Sequence, residues 1–262
     1  MDDNYGIFSL KGKVIAVTGG TRRYGYHFCE ALAEAGGTVI LTSRDGKRAG
    51  EAASGFKDRG FNVKGYGMDQ SDDNSIEEFV SSVISDYGRI DVLVNNARTV
   101  PRMHLSEITR EELDKVFTVN SVGLILLTRR VVDEMKKYVK GNIINIGSIY
   151  GMGGQDPGIY EQPDKNLSMD YPIQKGGVIA LTRQLATTLA QYNIRANCLS
   201  LGGLSETAPA DPVFLERYCK RTPMGRMAVG SDVKGPIIFL ASDASAYMTG
   251  VNMVVDGGWT AW

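Results

Sequence analysis

Histidine is scarce in this chain. His27 and His104 are the whole supply, which excludes a histidine-rich metal site, and no metal is expected. Cysteine is scarce as well. Cys29, Cys198 and Cys219 form an odd, widely spaced set, which predicts reduced thiols in packing roles rather than a disulfide framework or a metal cluster. Long apolar runs are missing: stretches such as Val122-Gly-Leu-Ile-Leu-Leu127 fall far short of the roughly 20 residues that span a bilayer, so no membrane partner is expected. The opening Met1-Asp-Asp-Asn lacks the basic region of a secretory signal, and a cytoplasmic location is expected. Excess charge of one sign is lacking too. Lys and Arg number 29 against 30 Asp and Glu, and a net charge of −1 gives no reason to invoke nucleic acid. No Pro/Gly/Ser linker, repeat or low-complexity stretch divides the 262 residues, so one domain over 1–262 is expected, large enough to bury a core without staples.

What is present is an alternation. Apolar, β-branched runs near 13–18, 38–42, 62–67, 91–94, 142–147, 194–199 and 251–255 read as strands. Helical periodicity occupies 25–35, 46–59, 73–86, 109–136, 171–191, 212–219 and 232–241. Strand and helix in turn predict an α/β fold with a parallel sheet covered on both faces. Pro172 fits only the first turn of its helix, and Asp170 is the expected N-cap.

Two constellations carry chemistry. Lys13-Val-Ile-Ala-Val-Thr18 leads into Gly19-Gly-Thr-Arg-Arg-Tyr-Gly25 and then into helical spacing through Phe28 and Leu32. Strand, glycine turn and helix N-terminus make a cradle for phosphate, because the backbone can approach and free N–H groups face the anion. The second constellation is Tyr171 and Lys175, four apart on one helix face, with Ser148 standing 23 positions earlier at a strand end. The ammonium favours the phenolate and draws the tyrosine toward general acid–base work, while the serine hydroxyl can hold a carbonyl oxygen.

Taken together these residues resemble the short-chain dehydrogenase/reductase family, from about Leu10 to the end of the chain. Thr18-Gly19 and Gly25 match its coenzyme turn, Asp69 its adenine-contacting carboxylate, and Asn95-Asn96-Ala97 the segment after its fourth strand. Asn197-Cys-Leu-Ser-Leu-Gly202 and Val255-Asp-Gly-Gly258 resemble the nicotinamide-flanking and C-terminal segments. The resemblance implies a single-domain Rossmann-type doubly wound sheet of seven strands, order 3-2-1-4-5-6-7, with the site at the carboxyl ends of the strands. It implies a catalytic tetrad of Asn120, Ser148, Tyr171 and Lys175. In it Tyr171 is the acid or base, Lys175 also holds the nicotinamide ribose, and Asn120 holds a water leading to solvent. The coenzyme is then expected against Gly19, Thr21, Arg22, Arg23, Tyr24, Gly25, Ser43, Arg44, Asp69, Gln70, Asn96, Ala97, Tyr171, Lys175, Gly202 and Leu204.

Charge distinguishes the coenzymes. An NAD site ends its second strand with a carboxylate; here Ser43 stands there, followed by Arg44, and Arg22 lies in the glycine turn. Guanidinium groups suit the 2′-phosphate, so NADP is expected rather than NAD. Three residues depart from the family pattern: Arg23 at a turn glycine, Arg98 at the glycine after Asn-Asn-Ala, and Leu201 at the proline before Gly202. Arg98 and Arg102 follow the fourth strand and suit an anionic or polyhydroxylated substrate. The segments 151–168 and 203–226 are expected as substrate loops. The chain ends resemble gluconate 5-dehydrogenase-like members, which implies hydride exchange with a sugar, sugar acid or polyol. A 3-oxoacyl carrier-protein reductase and a non-catalytic dinucleotide-binding regulator stand as alternatives. A small-molecule substrate and a homo-oligomer, dimer or tetramer, are expected. Val116, Val119, Leu124, Leu127 and Val131 give one helix more apolar surface than a single core stripe needs.

Overall fold

The computed structural model describes residues 6–99, 105–163, 167–208 and 211–262. Seven strands form one sheet: β1 Val14–Val17, β2 Thr38–Ser43, β3 Val63–Gly67, β4 Val92–Asn95, β5 Gly141–Ser148, β6 Ile194–Leu201 and β7 Asn252–Val255. All pairings are parallel and the order is β3-β2-β1-β4-β5-β6-β7. The helices are α1 Arg23–Glu34, α2 Gly46–Lys57, α3 Asp73–Tyr87, α4 Arg110–Phe117, α5 Leu124–Tyr138, α6 Asp170–Leu189, α7 Pro212–Arg221 and α8 Lys234–Ala241. Among the described residues no helix is long and apolar enough to cross a membrane.

Strand alternation divides the core in two. Ile15 and Val17 of β1 face a cluster with Phe28 and Leu32 of α1, Phe56 of α2 and Ile237 of α8. Val14 and Ala16 face the opposite cluster, with Phe79 of α3, Leu127 and Met135 of α5 and Leu189 of α6. The central strands β1 and β4 are buried throughout, which is why their runs read as continuously apolar.

Beneath the site a polar ladder crosses this core. Asn95 Nδ2 donates to Thr128 Oγ1 and Asn145 Oδ1, both at 2.9 Å, and Asn145 Nδ2 donates to Thr182 Oγ1 at 2.9 Å. β4, β5, α5 and α6 are thereby locked in one register, because misplacing any of them would strand a buried amide.

Two local expectations are corrected. The helix expected over 109–136 is interrupted: Thr118–Gly123 forms a π-helical turn between α4 and α5. The wider turn frees the Val119 carbonyl, and Gln70 Nε2 donates to it at 2.8 Å. Gly123 permits this approach, since a Cβ there would lie 1.8 Å from the Gln70 carbonyl oxygen. Asp170 is not an N-cap. It is the first residue of α6, preceded by Met169, and its carboxylate is turned into the protein to accept from Gln174 one turn on.

Gly123→Ala is expected to destabilise the fold by about 1–3 kcal/mol, because backbone rather than a flexible side chain blocks the added methyl. Gly50→Ala, on α2 with nothing within 4 Å of the new carbon, is expected to stabilise by about 0.5–1 kcal/mol. Urea midpoints of the two variants should move in opposite directions.

Candidate active site

The carboxyl ends of β1, β2, β4, β5 and β6 open into a cavity of about 680 Å³, a size suited to a large organic ligand. Ser148 closes β5 at the strand's last pair, opposite Leu201, and its hydroxyl accepts from the Tyr150 amide at 3.2 Å. Tyr171 lies in the first turn of α6 and Lys175 one turn later, so both side chains reach the same end of the cavity. Lys175 is buried, donates to the Ile146 carbonyl at 2.6 Å and sits 5.9 Å from the Tyr171 ring centre.

The phenol of Tyr171 is surrounded by cations. Burial is the largest influence and opposes its ionisation. Arg98, Lys175, a hydrogen bond with Ser148 and Arg23 act the other way, and the net effect holds the phenol below its ordinary range. The Arg98 guanidinium lies 4.9 Å from the ring centre of Tyr171. Lys175 is likewise held below the usual ammonium range, first by burial, with Tyr171 opposing and Arg98 adding to the depression.

At the other end the backbone comes close to the cavity. Gly19 has φ +64°, and a Cβ on Gly25 would lie 2.2 Å from the Gly19 carbonyl oxygen, so neither position accepts a side chain. Arg23 adopts φ +54°, the left-handed conformation that explains the family's preference for glycine there, and it does so inside the site. Helices α2, α3, α4 and α7 are capped by Asp45, Asp72, Thr109 and Asp211, whereas α1, like α5, α6 and α8, has no side-chain cap. Its first amides remain for a ligand. Arg22, Ser43, Arg44 and Arg48 line this end. The Asp45 carboxylate also lies here, but it accepts from the amides of Lys47 and Arg48. Gln70 lines the cavity as well, its Nε2 held by the Val119 carbonyl. Glycine cradle, uncapped helix and guanidinium groups together fit a nicotinamide dinucleotide.

Nearly all the expected site residues line the cavity: Gly19 and Thr21 through Gly25, Ser43, Arg44, Gln70, Asn96, Ala97, Ser148, Tyr171, Lys175, Gly202 and Leu204. Asp69 and Asn120 are not among the lining residues. The Asp69 carboxylate accepts from the amide and hydroxyl of Ser71, and Asn120 is buried in the π turn. Arg98 and Thr207 also line the cavity, while Arg102 lies outside the described residues. Sequence reasoning missed the aromatic wall of Tyr150, Tyr160, Phe214 and Tyr218. Its one available signal was Phe214 and Tyr218 four apart on α7. Tyr218 Oη accepts from the Gly203 amide at 2.6 Å, and burial pushes its phenol up to about 12.

Residues 22–260 match the family described as enoyl-(acyl carrier protein) reductase. The chain is 34% identical to an NADP-dependent mannitol dehydrogenase of Hypocrea jecorina, over 97% of this chain and 94% of that one. It is also 34% identical to a 3-oxoacyl-acyl-carrier-protein reductase of Thermotoga maritima, over 95% of this chain and 98% of that one. Among solved structures, a gluconate 5-dehydrogenase of Burkholderia cenocepacia in complex with NADP and tartrate superposes with a TM-score of 0.90 at 30% identity, covering 98% of both chains.

Removing Arg98 takes away the largest influence that favours the Tyr171 phenolate. In Arg98→Ala the phenol should therefore ionise at higher pH than in the wild type. Ultraviolet difference titration checks this, with Tyr171→Phe as the blank; an unchanged or lower midpoint contradicts the geometry.

Proposed function

Since the chain belongs to the short-chain dehydrogenase/reductase family of oxidoreductases, we propose that it exchanges a hydride between NADP(H) and a secondary alcohol or ketone of a sugar, sugar acid or polyol. The observation that carries this reading is the Tyr171 phenol, gathered with Ser148 and Lys175 at one end of a cavity whose other end holds Arg22, Arg44 and Arg48.

The protein's part follows from those positions. Ser148 aligns the substrate oxygen by hydrogen bonding, and Tyr171 gives that oxygen a proton in reduction or takes one in oxidation. Lys175 and Arg98 favour the phenolate that remains. A bound nicotinamide supplies or accepts the hydride. The α1 amides and glycine turn would hold the pyrophosphate, Lys175 the nicotinamide ribose, and Asp69 and Gln70 the adenine end. Ser43 offers no carboxylate to repel a 2′-phosphate, and Arg44 with Arg22 can pair with it from two sides. NADP in the Burkholderia structure and in the name of the Hypocrea enzyme supports the same choice.

For the substrate, the support is charge and shape. Arg98 over Tyr171 suits a carboxylate or a dense set of hydroxyls, and the aromatic wall gives a flat apolar surface for a carbon skeleton. The tartrate held by the Burkholderia neighbour is a hydroxy acid of that kind. The segment 151–163 contributes Tyr160 to the cavity, and 203–208 and 211–226 contribute Leu204, Thr207, Phe214 and Tyr218, in keeping with substrate loops. A homo-oligomer, dimer or tetramer, and a cytoplasmic location complete the reading. The apolar surface available for assembly differs from the expected face: Val116, Leu124, Leu127 and Val131 are buried within the chain, whereas Val122 and Ile125 are each 50% exposed.

The test is a panel of sugar acids, polyols, neutral ketones and an acetoacetyl thioester with both coenzymes. Tyr171→Phe should lose about 10²–10⁴-fold in turnover while coenzyme binding stays within a few-fold. Arg44→Asp should shift the NADP/NAD ratio of kcat/KM by about ten- to hundredfold toward NAD. A wild type that prefers NAD, or the acetoacetyl thioester as the best substrate, refutes the corresponding half of the proposal. Sedimentation at micromolar concentration should show an assembly larger than the monomer, dissociating in Ile125→Glu.

A further inference from the structure

Behind the cavity a chain of hydrogen bonds leads from the 151–168 segment to Asn120. The Ser168 amide donates to Gln155 Oε1 at 2.7 Å, and the Ser168 hydroxyl donates to Asp170 Oδ1. Gln174 Nε2 donates to Asp170 Oδ2 at 2.8 Å, and Asn120 Nδ2 donates to Gln174 Oε1 at 2.6 Å. Asn120 Nδ2 also donates to the Thr99 carbonyl at 2.9 Å, and Asn120 Oδ1 accepts from the Thr99 amide at 2.8 Å. Asp170, Gln174 and Asn120 are 3%, 5% and 7% exposed.

The direction of this chain is set at one end. A carboxylate with two oxygens accepting can donate nothing, so the Gln174 amide must turn its NH₂ toward Asp170 and its oxygen toward Asn120. That oxygen takes the second N–H of Asn120, whose first N–H and oxygen belong to Thr99. The Asn120 side chain is thus gripped from both sides and has one orientation. Burying Asp170 on neutral donors alone is costly, and an apolar side chain of similar size would pack there at less cost. Its presence is explained by what it orients.

We propose that Gln174 and Asp170 are positioning residues that fix the Asn120 amide, tying the segment after Ser148 to the proton-handling end of the site. The proposal rests on the functional reading above, in which Tyr171 and Lys175 move the proton. Gln174 lies next to Lys175 on α6, and Asn120 lies next to Val119, which lines the cavity from the π turn. Their hydrogen bond therefore sets the spacing between helix and π turn at the reacting end, where displacements of about 1 Å cost on the order of a hundredfold in rate.

Gln174→Met keeps length and removes every hydrogen bond. It should lower kcat about tenfold with coenzyme KM within twofold, the size expected for one buried hydrogen bond. In an Asn120→Ala background the same substitution should cost nothing further, because its effect acts through Asn120. Deuterium exchange at the Thr99 amide should quicken, since its acceptor is loosened. Asp170→Asn, which can still offer an oxygen to Gln174, should reproduce each effect at smaller size and serves if Gln174→Met does not fold. Wild-type kcat with unchanged Thr99 exchange, or a full further loss in the Asn120→Ala background, overturns the proposal. A wild type without turnover on any carbonyl refutes the functional reading instead, and Thr99 exchange alone then decides the positioning role.

Discussion

The hydroxyl of Thr18 joins the two halves of this site. It donates to the Val94 carbonyl at 3.3 Å and accepts from the amides of Asn96 and Ala97 at 2.9 and 2.8 Å. Asn96 Nδ2 returns the link by donating to the carbonyls of Thr18 and Gly19. These bonds tie the end of β1 to the end of β4, where chain connections leave the sheet in opposite directions and a crevice must open. The glycine turn on one side and Arg98 on the other take their places from it. Fully buried, Thr18 makes these bonds at low dielectric, where each is stronger and losing one leaves a polar group stranded.

From that junction two opposing pressures meet at Tyr171. Burial strengthens the hydrogen bonds of the phenol, but it also discourages the phenolate. Positive charge restores the balance, and this chain uses more of it than a single lysine. Arg98 and Arg23 both stand where glycine is the family's habit, and both bear on the same phenol. Arg23 holds a strained backbone angle to do so. Two of the three departures from the family pattern thus act on one phenol from two segments.

Much of this was legible beforehand. Strands buried on both faces must be apolar throughout, so Val14–Val17 and Val92–Val94 announce themselves, and the four-residue spacing of Tyr171 and Lys175 announces that both reach one end of the cavity. The π turn was not legible: Thr118–Gly123 holds weak helix formers, but nothing local specifies a wider turn, and its partner Gln70 is far away in sequence. Asp170 misled for a related reason. An aspartate two residues before a proline is a good cap by local rules, but here a partner one turn onward takes its carboxylate. Of the apolar residues of α5, Leu127, Val131, Val132 and Met135 pack into the core, while Ile125 stays exposed.

The place of β1 in the middle of the sheet has a consequence for synthesis. It is the first strand made, yet it pairs with β4, whose residues follow about seventy-five positions later, and Lys13 beside it binds Asp243 at 2.6 Å across 230 positions. While the ribosome still holds the rest, Val14–Val17 is an apolar ribbon with both edges bare. Contacts so distant along the chain close slowly and leave time for intermolecular pairing. The coenzyme turn, which needs β1, β2 and β4 at once, can therefore form only after more than a third of the protein has emerged, and a nascent chain shorter than that has nothing with which to hold a dinucleotide.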